Sequence, residues 1–291
     1  LGARVREVIA FACEGARLIG TLDLPITCFD KLSTNGGVNG LNPARPALVE
    51  GRVPHTPALL IVTGGNEVRA GAHRGMALLA ARLAAEGTAV FRYDRRGTGD
   101  SEGENSGYAN AAPDLCAAAA AFRAHLPAGT RLIGFGNCDA ATLLAEEGRA
   151  AGLDGVILAN PWTVEDADPL PPAAAIRAGY AAKLRDPREW WRLLRGGVNL
   201  AKLFSGLRKI ARTRAQPDDL AARVHRAIAS WGDAATVVLA EGDNTALAYA
   251  AGARGVRPHT VTIPTASHSF ARAADQRALE AAIRAAIRRL P

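Results

Sequence analysis

From residue 58 to residue 160, short apolar runs alternate with helical runs, and this alternation restricts the chain to few architectures. Residues 58–63 are continuously apolar, as expected of a strand covered on both faces. Gly64-Gly65-Asn66 ends that run. Residues 71–86 carry Met76, Leu79 and Leu83 at helical spacing and close at Gly87, which predicts a helix. A strand at 88–93, a turn-rich loop at 94–101, a helix at 113–125, a strand at 131–135, a helix at 140–149 and a strand at 155–159 follow. Asn160-Pro161 stops the last of them. The pattern predicts an α/β fold with a mostly parallel central sheet and helices on both faces.

Outside this stretch the pattern changes. Runs at 8–11 and 17–24 flank Cys13-Glu14-Gly15 and read as an N-terminal hairpin. Residues 26–57, rich in Gly, Asn and Pro, read as a long irregular excursion. Residues 162–217 are helical in pattern and basic, with no convincing strand, and read as an insertion. Alternation then resumes with a helix at 218–231, a strand at 236–240, a helix at 245–253, a strand at 260–263 and a helix at 270–290. The expected organisation is a core of 1–161 and 218–291, a helical cap of 162–217 and the excursion.

Apolar residues make up 48% of the 291, enough for a sizeable core, but only 5% are aromatic, so Ala, Leu, Val and Ile must build it. A net charge of +7 fits either an anionic partner or an arginine-rich, solvated surface. Cys13, Cys28, Cys116 and Cys138 show neither CxxC pairing nor zinc spacing, which suits a reducing cytoplasm. Cys13, Cys28 and Cys116 read as bystanders, with Cys116 in the core of an Ala-rich helix. No run approaches the ~18 apolar residues of a membrane span. Arg4-Val5-Arg6-Glu7 leads into a short strand-like run, so no signal peptide is expected. No nucleic-acid motif is present, and the sequence is silent on oligomeric state.

The chemistry concentrates at Gly134-Phe135-Gly136-Asn137-Cys138-Asp139-Ala140. An apolar run enters this segment and a helical run leaves it, the context of a nucleophile elbow with cysteine in place of serine. Gly136 and Ala140 flank Cys138 without bulky side chains, as the crowded turn needs. Functional groups of an open parallel sheet gather at the C-terminal ends of its strands. Asp243 follows one later strand and His268 another. The order nucleophile, acid, histidine predicts a triad in which His268 ionises Cys138 and Asp243 orients His268. Glu241 and Asp233 lie close by as alternative acids, and Asp94 also ends a strand. The Asp94 loop reads as structural, with Arg96 and Asp100 tying the turn. Oxyanion donors are expected from the backbone of Asp139 and from Gly65 or Asn66. His73 reads as structural or substrate-facing.

These residues resemble the α/β-hydrolase superfamily and, more narrowly, the exosortase A system-associated hydrolase 1 family. The matching pieces are Phe11 to Gly15, Gly64-Gly65 with Arg69, Gly71, His73 and Arg74, and Arg92 to Gly103. Cys138 to Ala141, Asn160-Pro161-Trp162, Trp190 and Ser267 to Phe270 complete them. The resemblance implies a Cys-His-Asp hydrolase with no metal and no organic cofactor. It does not supply the substrate. Asn66-Glu67 stands where the family has Pro-Gln, and the excursion is longer than the family's. In the insertion, Arg188 and neighbouring cations accompany Trp190 and Trp191, a combination suited to a phosphate above an apolar acyl pocket. A packed helix with a solvated basic face is the plainer alternative. His73, Trp162, Trp190 and Arg188 are the candidate substrate-binding residues. The expected substrate is an acyl ester or thioester, acyl-CoA or acyl-carrier protein included, hydrolysed or transferred through an acyl-cysteine. The alternative is a non-catalytic ligand-binding protein on the same fold.

Overall fold

The structure, a computed structural model, describes residues 4–25, 56–164, 220–253 and 258–290. Most of the excursion, all but the first residues of the expected cap, and with them Cys28, Arg188 and Trp190, lie outside the described residues. Strands β1 (Arg4–Cys13) and β2 (Ala16–Pro25) form an antiparallel hairpin in register from Arg4↔Pro25 to Cys13↔Ala16. Its two turn residues, Glu14 and Gly15, both have positive φ (46° and 83°), as a tight hairpin with right-handed twist requires. The hairpin outruns the apolar pattern because its polar residues find partners. Arg6 Nε lies 2.7 Å from Asp23 Oδ1, and Arg92 donates to the other oxygen of this fully buried carboxylate.

The remaining elements are β3 (Ala58–Val62), α1 (Gly75–Ala85), β4 (Val90–Tyr93), α2 (Ala112–Arg123), β5 (Leu132–Asn137), α3 (Asp139–Glu147) and β6 (Gly155–Ala159). Then come α4 (Leu220–Ser230), β7 (Ala235–Ala240), α5 (Asn244–Gly252), β8 (His259–Ile263) and α6 (Ala273–Arg289). The eight strands run in the order β1-β2-β4-β3-β5-β6-β7-β8. β1 and β2 are antiparallel additions, whereas β3 pairs in parallel with β4 and β5, and β7 with β8. Every residue of β3 and β6 is buried, which explains their unbroken apolar sequences.

Two compact units divide the chain, Leu1–Gly136 with Glu147–Val156, and Asn137–Glu146 with Ile157–Leu290. In the first, the expected helix at 71–86 is broken. Ala72–Arg74 is a separate 3-10 turn, and α1 begins at Gly75. His73 and Arg74 take left-handed backbone (φ 52° and 60°), and the apolar spacing that would hold a helix starts only at Met76. Cys116 is exposed rather than in the core, because α2 buries the face carrying Leu115, Ala118, Ala119 and Phe122. The core also holds more aromatic mass than composition suggests, with Phe91, Tyr93, Phe122 and Phe135 fully buried in this unit.

The carboxylate of Asp94, at the end of β4, is fully buried and structural. It accepts from the backbone and guanidinium of Arg69 and from the amide of Asp100, 3.1 Å away. Arg96 ties the loop elsewhere, to Asp114 and Glu14. Gly99 passes over Asp94 at φ 57°, where an added Cβ would lie 2.6 Å from the carboxyl carbon. Gly99→Ala therefore combines left-handed strain with a clash against a fixed carboxylate. It is expected to lower unfolding free energy by about 2 kcal/mol, read as a lower urea midpoint at unchanged slope.

In the second unit, α4 buries Leu220, Val224 and Ile228 at i, i+4, i+8, and α6 buries Leu279, Ile283 and Ile287 at the same spacing. Trp231 anchors its indole on the carbonyl of Ala145 at 2.9 Å. The last helix starts at Ala273, later than expected, because Phe270 is buried at φ 52° and turns the chain first. Among the described residues no helix is long and apolar enough to cross a membrane.

Candidate active site

Cys138 is the single residue between the end of β5 and the start of α3. Its φ is 63°, the left-handed region that a non-glycine residue occupies only under constraint. The constraint is visible. The Cys138 N–H donates to the carbonyl of Ala159 at 3.0 Å, and its own carbonyl accepts from Ala141, Thr142 and Trp162. The backbone is thus pinned between the end of β6 and the first turn of α3, and the thiol is left partly exposed.

His268 lies in the loop after β8. Thr265 Oγ1 donates to Asp275 and accepts from the amide of Ser267, and Ser267 Oγ accepts from Ala271. The imidazole Nδ1 is 3.0 Å from Asp243 Oδ2. An ionised carboxylate only accepts, so Nδ1 carries the proton and the second ring nitrogen is left for Cys138. The hydrogen bond with Asp243, then that with Cys138, raises the pKa of His268 from 6.5 to about 10 against the opposing effect of burial.

Asp243 caps α5, its Oδ2 accepting from the amides of Thr245 and Ala246 at 3.1 Å each. Burial pushes its pKa up. The bond and charge of His268, with the two amides, prevail and hold it below the ordinary carboxylate value. The same carboxylate thus starts a helix and orients a ring. Glu241 and Asp233, the alternative acids, are both exposed. Asp243 is the carboxylate that meets the ring.

The structure brings together Cys138, His268 and Asp243, all within the second unit, with Asp139 as the first residue of α3. Trp162 joins them through its backbone, donating to Cys138 and accepting from Thr142 Oγ1 at 2.7 Å. Gly65 and Asn66 belong to the first unit and are exposed. Gly65 has φ 56° and offers its carbonyl to Arg95, and Asn66 Oδ1 accepts from Asn105 at 2.7 Å. His73 is an exposed residue in the 3-10 turn before α1.

Two asparagines that the sequence reading places in the elbow and in a matching motif carry contacts it does not assign. Asn160 is fully buried at φ 42° just after β6, and Asn137 immediately precedes Cys138. Asn160 Nδ2 donates to Asn137 Oδ1 at 3.0 Å and to the His268 carbonyl at 3.3 Å, and Asn137 Nδ2 donates to that carbonyl at 3.2 Å. The signal was an asparagine closing a wholly apolar strand ahead of proline, which reads equally well as a simple strand terminator.

A profile of the alpha/beta hydrolase family matches residues 59–282, well over half of the sequence. The chain belongs to the alpha/beta hydrolase family. Its mostly parallel eight-stranded sheet agrees with that membership. The hydrolase is similar in fold to XC6422 of Xanthomonas campestris, described as an a/b serine hydrolase without lid. That likeness has a TM-score of 0.56 at 17% identity, over 98% of this chain and 95% of that one. It is also similar to the Pyrococcus furiosus esterase Pf2001, with a TM-score of 0.58 at 14% identity, over 98% and 90%. The alpha/beta hydrolase GrgF of Penicillium sp. gives 0.56 at 15%, over 98% and 99%. No curated protein matches the sequence at a significant level.

Proposed function

We propose that this hydrolase attacks an acyl ester or thioester with Cys138 and proceeds through an acyl-cysteine, as the resemblance to the exosortase-associated hydrolases implies. One observation supports the reading: a left-handed cysteine at a strand–helix junction, electrostatically coupled to an imidazole that is bonded to a buried carboxylate. His268 takes the proton of Cys138, and the resulting thiolate is the nucleophile. The thiolate adds to the acyl carbon, and the carbonyl π pair moves onto oxygen. The amide of Asp139, at the start of α3, stabilises that oxyanion. Collapse expels the alcohol or thiol, which takes the proton from His268, and leaves the acyl group on sulfur. Water, or another nucleophile, then attacks the acyl carbon while His268 takes its proton, and Cys138 departs as thiolate.

His73, Trp162, Trp190 and Arg188 remain the proposed substrate-facing residues, with residues 162–217 as cap. Acyl-CoA and acyl-carrier thioesters fit a basic, tryptophan-bearing cap, and the proposed compartment is the cytoplasm. Incubation with a panel of activated esters and acyl thioesters is expected to add one acyl mass. Peptide mapping is expected to locate it on Cys138. Turnover without any adduct on Cys138, or an adduct confined to exposed Cys116, overturns the reading.

A further inference from the structure

Asn160 spends a fully buried carboxamide, in a backbone conformation that few residues tolerate, on bonds that reach three separate segments. Its orientation follows from one partner. The Ala240 N–H can only donate, so the group 2.8 Å from it must be Asn160 Oδ1. Nδ2 then faces Asn137 Oδ1 and the His268 carbonyl, which in turn fixes Asn137 with its Nδ2 on that same carbonyl. The His268 carbonyl thus accepts two carboxamide N–H groups, one from the end of β6 and one from the residue before Cys138. Anchoring β7 needs only Oδ1; the two Nδ2 bonds serve the neighbour of Cys138 and His268 itself.

A ring held solely through Nδ1 on Asp243 can still pivot about that bond. Fixing the backbone of the same residue removes the pivot and leaves the far nitrogen directed at sulfur. We propose that Asn160, acting with Asn137, is a positioning residue that locks the His268 backbone so that its imidazole spans Asp243 and Cys138. The inference rests on the proposed Cys138–His268–Asp243 triad and adds to it a carboxamide clamp that touches neither substrate nor the reacting atoms.

The test uses Asn160→Gly, which tolerates the positive φ, and Asn137→Ala, which removes one of the two donors to the His268 carbonyl. Asp243 and Cys138, the titratable groups that face the imidazole, are left intact in both. The readouts are kcat, KM and the pH dependence of iodoacetamide alkylation at Cys138, located by peptide mass. Asn160→Gly is expected to slow alkylation of Cys138 at neutral pH by about tenfold relative to wild type. A kcat loss of about tenfold or more with KM changed by less than about twofold is expected alongside it. Asn137→Ala should fall between wild type and Asn160→Gly. A folded Asn160→Gly whose alkylation profile overlays wild type overturns the clamp. Should Asn160→Gly not fold, a wild-type profile and kcat in Asn137→Ala overturns it equally. Wild-type Cys138 that alkylates no faster at neutral pH than exposed Cys116 overturns the triad itself, and the clamp with it.

Discussion

Cys138→Ala should abolish acylation and lower kcat by about 10⁵-fold, because it removes the sulfur that carries the acyl group. The substitution is small and leaves the elbow's backbone bonds to Ala159, Ala141 and Trp162 in place, so the fold should persist. Its strain persists too, since alanine at φ 63° is no more comfortable than cysteine. Loss of activity with a retained melting transition would thus report chemistry rather than unfolding. The Cys138→Ser variant sharpens the point. A hydroxyl is far less acidic than a thiol, so His268 ionises it less readily, and serine should not restore wild-type rates. The measurement is single-turnover acylation with an activated ester. An alanine variant that retains wild-type kcat would remove Cys138 from the mechanism.

Asp243→Asn is expected to lower kcat by about 10³-fold while leaving the protein folded. The separation is possible because Asp243 does two things. As a cap it offers an oxygen to the amides of Thr245 and Ala246, and asparagine caps about as well as aspartate. As the partner of His268 it supplies a negative charge, which an amide lacks. The His268 bond to Asp243 is the largest contribution raising its pKa to about 10, so the value should fall toward 6.5 in the variant. Because folding raises the His268 pKa, its protonation stabilises the fold fully below pH 6.5 and loses that contribution as pH rises through about 10. The Asp243 contribution has the opposite sense, present above its ordinary value of 3.8 and lost as pH falls through its lowered one. The alkaline limb of the activity profile should therefore retreat from about pH 10 toward neutrality in Asp243→Asn. An unshifted limb would show that the acid acts from elsewhere.

The sheet was legible because its central strands are buried on both faces, so β3 and β6 read as unbroken apolar runs. The three candidate groups were legible because strand ends are where such a sheet gathers chemistry, and Cys138, Asp243 and His268 each follow a strand. What escaped depends on contacts that no local pattern carries. The break at His73 follows from backbone geometry around Gly71 and Met76, whose side chain lies where a Gly71 Cβ would sit. The extension of the hairpin to Arg4 rests partly on Arg6 and Arg92 meeting Asp23. Asn160 looked like a strand terminator because the carbonyl it holds belongs to His268, 108 residues away.

That distance has a consequence in time. The bond from Asn137 to His268 spans 131 residues, so a ribosome completes the thiol roughly ten seconds before its imidazole exists. Throughout that interval the nascent chain presents only an unremarkable cysteine, with neither ring nor carboxylate to draw off its proton. The bond can form only after β8 and the loop that carries His268 have emerged.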